Sequence, residues 1–388
     1  MQRVAQDWLV LELTHNSGTA LGVTTGLQFL PLLLFSLWGG AIADRYSKRR
    51  ILMITQSVMG MLALILGVLA VTGTVRIWQI YGLAFALGLA TVVDNPTRQT
   101  FVVEMVGRAD MPNAIALNSA IFNLARIVGP AIAGLVIGAI GTPAAFFINA
   151  ASFGAVLTGL KLMRPAELNP VARVPRSKGQ LVEALRYVKD RPSLSMTMVL
   201  IFFVATFGMN FQVTNALMSR GVFHTGATAF GFASAVFAVG ALAGALLAAR
   251  RAKPGVRLLV TAAFAFGILE VLTGLMPSFW SFLVLLIPTG LALLTFNIVA
   301  NSATQLGTSP EMRGRVRGLY MLVFLGGAPI GAPLAGWVAE VFGPRISVVA
   351  GGAISAVAAV VIGLVLAHRR GVRTREYLRP ASLARMVA

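Results

Sequence analysis

The sequence predicts an all-α membrane protein with eleven complete spans and one short leading segment, arranged as two six-helix halves. Three observations predict it. Of 388 residues, 57% are hydrophobic and 12% charged, where soluble domains carry roughly a quarter charged residues. Charge-free stretches near the ~20 residues a helix needs to cross the hydrocarbon recur down the whole chain. Lys and Arg collect in alternate intervals between those stretches, the pattern of cytoplasmic loops. The absence of cysteine rules out disulfide frameworks, thiolate zinc sites and cysteine nucleophiles. His15, His224 and His368 lie far apart, with no HExxH or His/carboxylate cluster, so neither an enzyme, a metal site nor a cofactor is expected. A formal charge of +19 would suggest nucleic acid only if the basic residues shared a soluble face. Here they sit between apolar runs, and no nucleic-acid partner is expected.

Residues 2–14 come first. At ~1.5 Å per residue they reach about 20 Å, short of a crossing. Asp7 and Glu12 interrupt the pattern and no small-residue cleavage site follows, so the segment is not a signal peptide. It is read as the outer part of a first span whose beginning lies outside this chain, the alternative being a short re-entrant segment. The complete spans are expected at 18–43, 51–73, 77–100, 111–140, 143–163, 193–218, 227–249, 256–276, 279–305, 312–339 and 345–367. Two apolar runs are too long for one crossing. Gly141-Thr142-Pro143 and Met276-Pro277-Ser278 divide them as turn signals.

Orientation follows from the basic residues. The intervals 44–50, 98–110, 161–191, 250–257 and 313–317, with the tail after His368, hold 27 of the 32 Lys and Arg residues. The intervening loops hold three: Arg76, Arg220 and Arg345. The C-terminus is therefore expected to be cytoplasmic, in a bacterial-type inner membrane whose anionic lipid attracts the basic side. The interval 164–192, rich in proline, is read as a linker between bundles at 1–163 and 193–367, with a basic tail at 368–388. The halves echo one another at an offset near 200: Gly129-Pro130-Ala131-Ile132-Ala133-Gly134 answers Gly331-Ala332-Pro333-Leu334-Ala335-Gly336. Arg49-Arg50 likewise answers Arg250-Arg251. Parallel repeats of this kind place a binding site near midplane between the halves.

The loop after the first complete span reads Gly40-Ala41-Ile42-Ala43-Asp44-Arg45-Tyr46-Ser47-Lys48-Arg49-Arg50. This resembles the GxxxDRxGR signature of the major facilitator superfamily, with Ser47 in place of its later glycine. The resemblance covers essentially the whole chain and implies the major facilitator fold. In that family the cluster, here Gly40, Asp44, Arg45 and Arg49, latches the cytoplasmic gate in the outward-facing state. Gly129, Pro130 and Gly134 resemble the antiporter motif of the superfamily's drug exporters, though the same residues serve plain helix packing. One antiporter feature is missing: Gly88 is preceded at four residues by Ala84, where the family carries an arginine. Asp94-Asn95-Pro96-Thr97-Arg98, Gln6-Asp7-Trp8 and Arg313-Gly314-Arg315 are similar to the branch containing the enterobactin exporter and related efflux proteins. Asp94 and Arg98, at i and i+4, are expected to pair at the cytoplasmic mouth.

Charges within spans are costly and mark function by default. Arg3 and Asp7 are spaced to neutralise each other, Arg126 falls near midplane, and Glu270 lies in the outer half of its span. Asp7 is read either as a proton- or substrate-coupling group or as a structural partner of Arg3 or another helix. Arg126 is read as an electrostatic element of the cavity. Glu270 is read as a buried structural acid or one near the outer surface. Polar stripes at helical spacing complete the expected pathway: Asn297, Asn301 and Thr304/Gln305; Thr206, Asn210 and Thr214 beside Phe203, Phe207 and Phe211; and Ser119, Asn123 and Arg126. The resulting expectation is a monomeric secondary transporter exporting amphipathic small molecules, of drug or siderophore class, by alternating access with proton antiport. Uptake or uniport on the same fold, and a non-transporting membrane sensor or partner-binding protein, are the alternatives. No GxxxxGK[ST] loop supplies nucleotide drive.

Overall fold

A computed structural model describes residues 1–107, 110–168, 180–249 and 255–369. The expected Arg108, Arg250 and Arg251, residues 169–179 of the linker and the tail from 370 onward lie outside the described residues. Eleven helices are long and apolar enough to cross a membrane. The first element, α1 (Gln2–Leu13), is a shorter helix. The N-terminal half continues with α2 (Gly18–Arg45), α3 (Lys48–Val71), α4 (Ile77–Val106), α5 (Met111–Ile140) and α6 (Thr142–Leu162). After α7 (Gln180–Lys189) come α8 (Pro192–Phe203), α9 (Phe211–Leu217), α10 (Ala227–Ala249), α11 (Val256–Leu275) and α12 (Phe279–Leu306). The chain closes with α13 (Arg313–Gly326), α14 (Ala328–Phe342) and α15 (Pro344–Arg369).

The predicted turn at Gly141-Thr142-Pro143 is present for a stated reason. Gly141 has φ +89°, a conformation L side chains rarely adopt, and Pro143 opens α6 where a missing N–H costs nothing. Gly343 (φ +96°) followed by Pro344 does the same between α14 and α15. Two spans depart from the regular helices expected. The 193–218 region is one span interrupted by π-helical turns at Val204–Gly208 and Met218–Val222, and it runs on to Val222. The 312–339 region is α13 and α14 meeting at Gly327, with Pro329 at the start of the second helix. Gly327 sits against the backbone of Ala205 and Thr206, so the two irregular regions touch.

Packing repeats between the halves. Helix α2 lies on α4 and α3 on α6; α10 lies on α12 and α11 on α15. Small residues make these approaches possible, as expected where dispersion packing rather than hydrophobic exclusion holds helices together. The halves meet through two crossings of the same type, α14 on α2 and α5 on α10. Gly18 faces Gly336 and Gly22 faces Ala332, while Gly134 faces Gly231 so closely that a Cβ added to Gly134 would lie 3.0 Å from the Gly231 Cα. The two sequence motifs that echo one another therefore occupy equivalent places in the interface.

Both crossings lie on the side away from the basic loops. There Glu340 of α14 accepts hydrogen bonds from Ser17 Oγ and Thr19 N, each at 2.7 Å, on the first turn of α2. Trp8, Phe230, Val213, Ala332 and Ala339 share one core across both halves, with Trp8 and Phe230 stacked at 6.3 Å. Toward the basic side the halves separate. None of residues 111–132 of α5 is buried, whereas Ala133, Gly134 and Ile137 are. A helix pressed against a partner has a buried face, so α5 packs tightly only toward its end away from the basic loops.

Candidate functional site

A cavity of about 560 Å³ lies between the halves below the closed end. Its wall is drawn from α1, α4, α5 and α6 on one side and from α9 and α10 on the other. Three guanidinium side chains line it: Arg3, Arg98 and Arg126. Gln2, Asn149, Gln212, Asn215 and Ser234 add neutral polar groups, and Phe122, Phe153, Phe211, Phe230 and Phe237 add aromatic surface. Phe211 and Phe237 stack at 4.5 Å across α9 and α10. Arg3 lies over the Phe29 ring at 4.9 Å, and Arg126 over Phe122 at 5.9 Å. Pro130 also lines the cavity. Because proline has no N–H, the carbonyl of Arg126 lacks its helical donor, leaving an acceptor beside that guanidinium.

Asp7 sits one turn beyond Arg3 and is 3% exposed. The expected Arg3–Asp7 ion pair is not made among the described residues. Asp7 instead accepts a hydrogen bond from Gln212 Nε2 at 2.6 Å, a bond that joins the two halves at the cavity wall. Arg3 turns to the Phe29 ring and leaves its Nε without a partner. Gln2 Nε2 is also buried without a partner, although its Oε1 accepts from Asn149 at 3.0 Å.

The mouth pair expected between Asp94 and Arg98 is not formed either. Asp94 accepts from Thr55 Oγ1 at 2.7 Å and Gln56 Nε2 at 2.8 Å, so it binds α4 to α3 inside the N-terminal half. Arg98 is exposed, reaches Asn95 Oδ1 only at 3.5 Å and belongs to the cavity. Two neutral donors already satisfy the carboxylate, and the i, i+4 spacing alone does not overrule them.

The pathway residues divide. Arg126 lines the cavity and Asp7 holds its wall. Asn123 does not line it; its amide back-bonds to Ser119 O at 2.8 Å. Asn210 is buried away from the cavity and donates to Thr206 O and Phe207 O, bracing the π-turn. Asn297 lies under Tyr320, whose hydroxyl reaches its carbonyl at 3.4 Å, and Asn301 Oδ1 accepts from Gln305 Nε2 at 2.9 Å. Neither asparagine lines the cavity, and the Asn297 side-chain Oδ1 is buried without a partner. Gln212, Asn215 and Asn149 take the places expected for these asparagines.

Around the signature loop, Gly40 is buried and Arg45 lies over the Tyr46 ring at 5.9 Å. Asp44 is half-buried and engaged. Lys48 pairs with Glu104 of α4, and Arg49 donates to Leu160 O at 2.7 Å and Lys161 O at 3.1 Å at the end of α6. These contacts bind α3 to its own half. Of the antiporter-type residues, Gly134 makes the interface contact with Gly231 and the Pro130 carbonyl faces Gly231 as well, while Gly129 faces open space. Helix α5 continues through Pro130 without a break. Glu270 is fully buried between α11, the π-turn and α15, with Oε2 unpartnered, not near a surface.

A sequence profile described as transmembrane secretion effector matches residues 1–387. The chain is 28% identical over 358 residues to the multidrug efflux pump Tap of Mycolicibacterium fortuitum, covering 88% of this chain and 85% of that one. It is 25% identical to the enterobactin exporter EntS of Shigella flexneri, covering 93% and 86%. It is also 28% identical to the staphyloferrin A transporter of Staphylococcus aureus, a match spanning 63% of this chain and 62% of that relative. Among solved structures, the nucleoside transporter NupG superposes with TM-score 0.70 at 14% identity, over 93% of this chain and 95% of that one. A bacterial Spinster homolog in an inward-facing, unoccupied conformation gives 0.72 at 17%, over 93% of each chain. Sequence profile, span count, repeated helix pairing and fold agree: the chain belongs to the transmembrane secretion effector family of the major facilitator superfamily.

Proposed function

We propose that this protein exports amphipathic small molecules of drug or siderophore class by alternating access, driven by proton antiport. The observation that carries the reading is the cavity between the halves, shut at one end by two glycine-lined crossings and bordered toward the basic side by a stretch of α5 with no buried residue. A site open to one side supports the loading state of an exporter when that side is the cytoplasm, as the distribution of basic residues argues. Relatives named as a multidrug efflux pump and an enterobactin exporter support the direction and the substrate range.

Asp7 is the coupling candidate. It is a buried carboxylate behind the cavity wall, held by a neutral donor from the opposite half, Gln212, which itself lines the cavity. A proton arriving there converts the charge-assisted bond to Gln212 into a neutral one, which is roughly half as strong, and so loosens one tie between the halves. The protein is read as a monomer, with its C-terminus on the cytoplasmic side of a bacterial inner membrane. The test is pH-gradient-dependent uptake of a fluorescent drug into acid-lumen inside-out vesicles holding wild type or Asp7→Asn, since export in that orientation runs into the lumen. Export that collapses with the gradient and fails in Asp7→Asn is expected. Transport indifferent to both the gradient and the substitution refutes proton coupling, and net accumulation in whole cells refutes export.

A further inference from the structure

We propose that the cavity selects amphipathic anions, namely aromatic-bearing molecules with carboxylate, sulfonate or phenolate groups. The inference rests on the transport reading and narrows its substrate class. Three guanidinium groups line the cavity, and among the described residues no Asp or Glu does. Asp7, the acid nearest the cavity along the chain, is turned to Gln212 and is not part of the lining. The fixed charge facing a bound molecule is therefore entirely positive.

Among the described residues Arg3, Arg98 and Arg126 make no ion pair. Their contacts are ring faces and one amide oxygen: Phe29 for Arg3, Phe122 for Arg126 and Asn95 for Arg98. A guanidinium has five N–H donors and no acceptor, so these contacts leave most of its donors unused. Arg3 feels Asp7 one turn away and, less strongly, Arg126 across α1 and α5. Two like charges brought together in a partly dehydrated space favour a shared anion over any other occupant. Gln2 contributes a further buried donor with no partner. The opposite wall supplies Phe211 and Phe237, stacked on one another, for the apolar part of the molecule. An organic cation meets three like charges in the same space.

The experiment measures equilibrium binding to the full chain in lipid nanodiscs by fluorescence anisotropy, using carboxyfluorescein as the anion and ethidium as the cation. Carboxyfluorescein is expected to bind at least tenfold more tightly, and to weaken as ionic strength rises because charge pairs are screened. Arg126→Gln is expected to weaken carboxyfluorescein about tenfold, the loss of one hydrogen bond to a charged partner, with ethidium unchanged or improved. Arg126→Lys keeps the charge without the fork and is expected to recover part of the loss. A melting temperature equal to wild type shows that the variants are folded; Arg98→Gln, at an exposed position, is the second variant should Arg126→Gln fold poorly. Ethidium binding as tightly as carboxyfluorescein, anion affinity unmoved by the arginine variants, or no binding of either dye overturns the proposal. Flux in sealed vesicles separates the two readings. Vesicles that move ethidium and not carboxyfluorescein refute anion selection while leaving the transporter reading intact. Arginine-dependent anion binding with no flux of any dye does the reverse.

Discussion

Glu340 offers the sharpest perturbation of the conformational equilibrium. Its carboxylate sits at the end of α14 and accepts from Ser17 Oγ and Thr19 N at the start of α2, so it ties one half to the other at the closed end. It is an N-cap supplied in trans. A cap side chain contributes about 0.5–2 kcal/mol, and a carboxylate at a helix N-terminus about 0.3–1 kcal/mol more. The site is exposed, which favours the low end, so Glu340→Gln is expected to remove about 1 kcal/mol from the closed end. Opening that end must break both bonds while leaving each half intact, so the whole loss falls on the equilibrium between the two facing states. One kcal/mol is about a fivefold change in their ratio. The chain has no cysteine, so spin labels at Gln99→Cys on α4 and Gly314→Cys on α13 report the gap on the basic side without a background substitution. Both positions are exposed and Gly314 faces open space. The expected outcome is a roughly fivefold gain in the short-distance population with Glu340→Gln, and a similar gain with Ser17→Ala, by the same cap reasoning. The double variant gains less than the sum of the two, because both weaken the Ser17–Glu340 bond while the Thr19 N–H keeps an acceptor in each. Distance distributions unchanged by both single variants, or fully additive effects, refute the assignment of this contact as the latch of the closed end.

Three further outcomes follow from the same geometry. Gly134→Val places a branched side chain against the backbone of α10 and is expected to cost about 1–3 kcal/mol through overpacking, read as a lower melting temperature; Gly129→Ala faces open space and is expected to be neutral or slightly stabilising. Asp94→Ala removes the oxygen that accepts from two buried donors and is expected to destabilise by about 1–3 kcal/mol. Arg98→Gln is expected to leave stability unchanged, and the two are expected to add within about 0.5 kcal/mol in a denaturant or thermal series, since no ion pair couples them. Lys48→Met strands Glu104 in a site where both side chains are about nine-tenths covered. Its expected cost is about 3 kcal/mol, from the charge left unpaired, and the double variant Lys48→Met/Glu104→Gln is expected to recover most of it.

The fold was legible because its determinants are collective. Hydropathy over some twenty residues, alternation of Lys and Arg, and a repeated small-residue motif each average over many positions, and no single contact can overturn them. The turn at Gly141 was legible because one residue type suits that backbone. The breaks at Val204–Gly208 and Gly327 were not. Nothing in Val204-Ala205-Thr206-Phe207-Gly208 forbids a regular helix; the π-turn is imposed by neighbours, with Gly331 pressed against the Thr206 carbonyl and Gly351 against that of Phe207. Tertiary packing of this kind leaves no local mark.

That hidden turn also explains where the site reading went astray. Thr206, Asn210 and Thr214 lie on one face only if the helix keeps 3.6 residues per turn throughout. A π-turn closes its hydrogen bonds one residue further on, which shifts the phase of everything after it by about 100°. Asn210 is consequently drawn inward to brace the turn, and Gln212 and Asn215 on α9 swing to the cavity in its place. The charged residues are less sensitive to phase, since a long guanidinium reaches a cavity from several helical angles, and Arg126 lines this one. For Asp7 and Asp94 the partner differs from the one the spacing suggests, in the same way. Sequence spacing offered each an arginine four residues off, yet each took a neutral amide or hydroxyl from another helix. Releasing the arginines from those internal pairs leaves Arg3 and Arg98, with Arg126, facing the cavity as cations. The same choice of partners thus holds the helices together and sets the charge that a transported molecule meets.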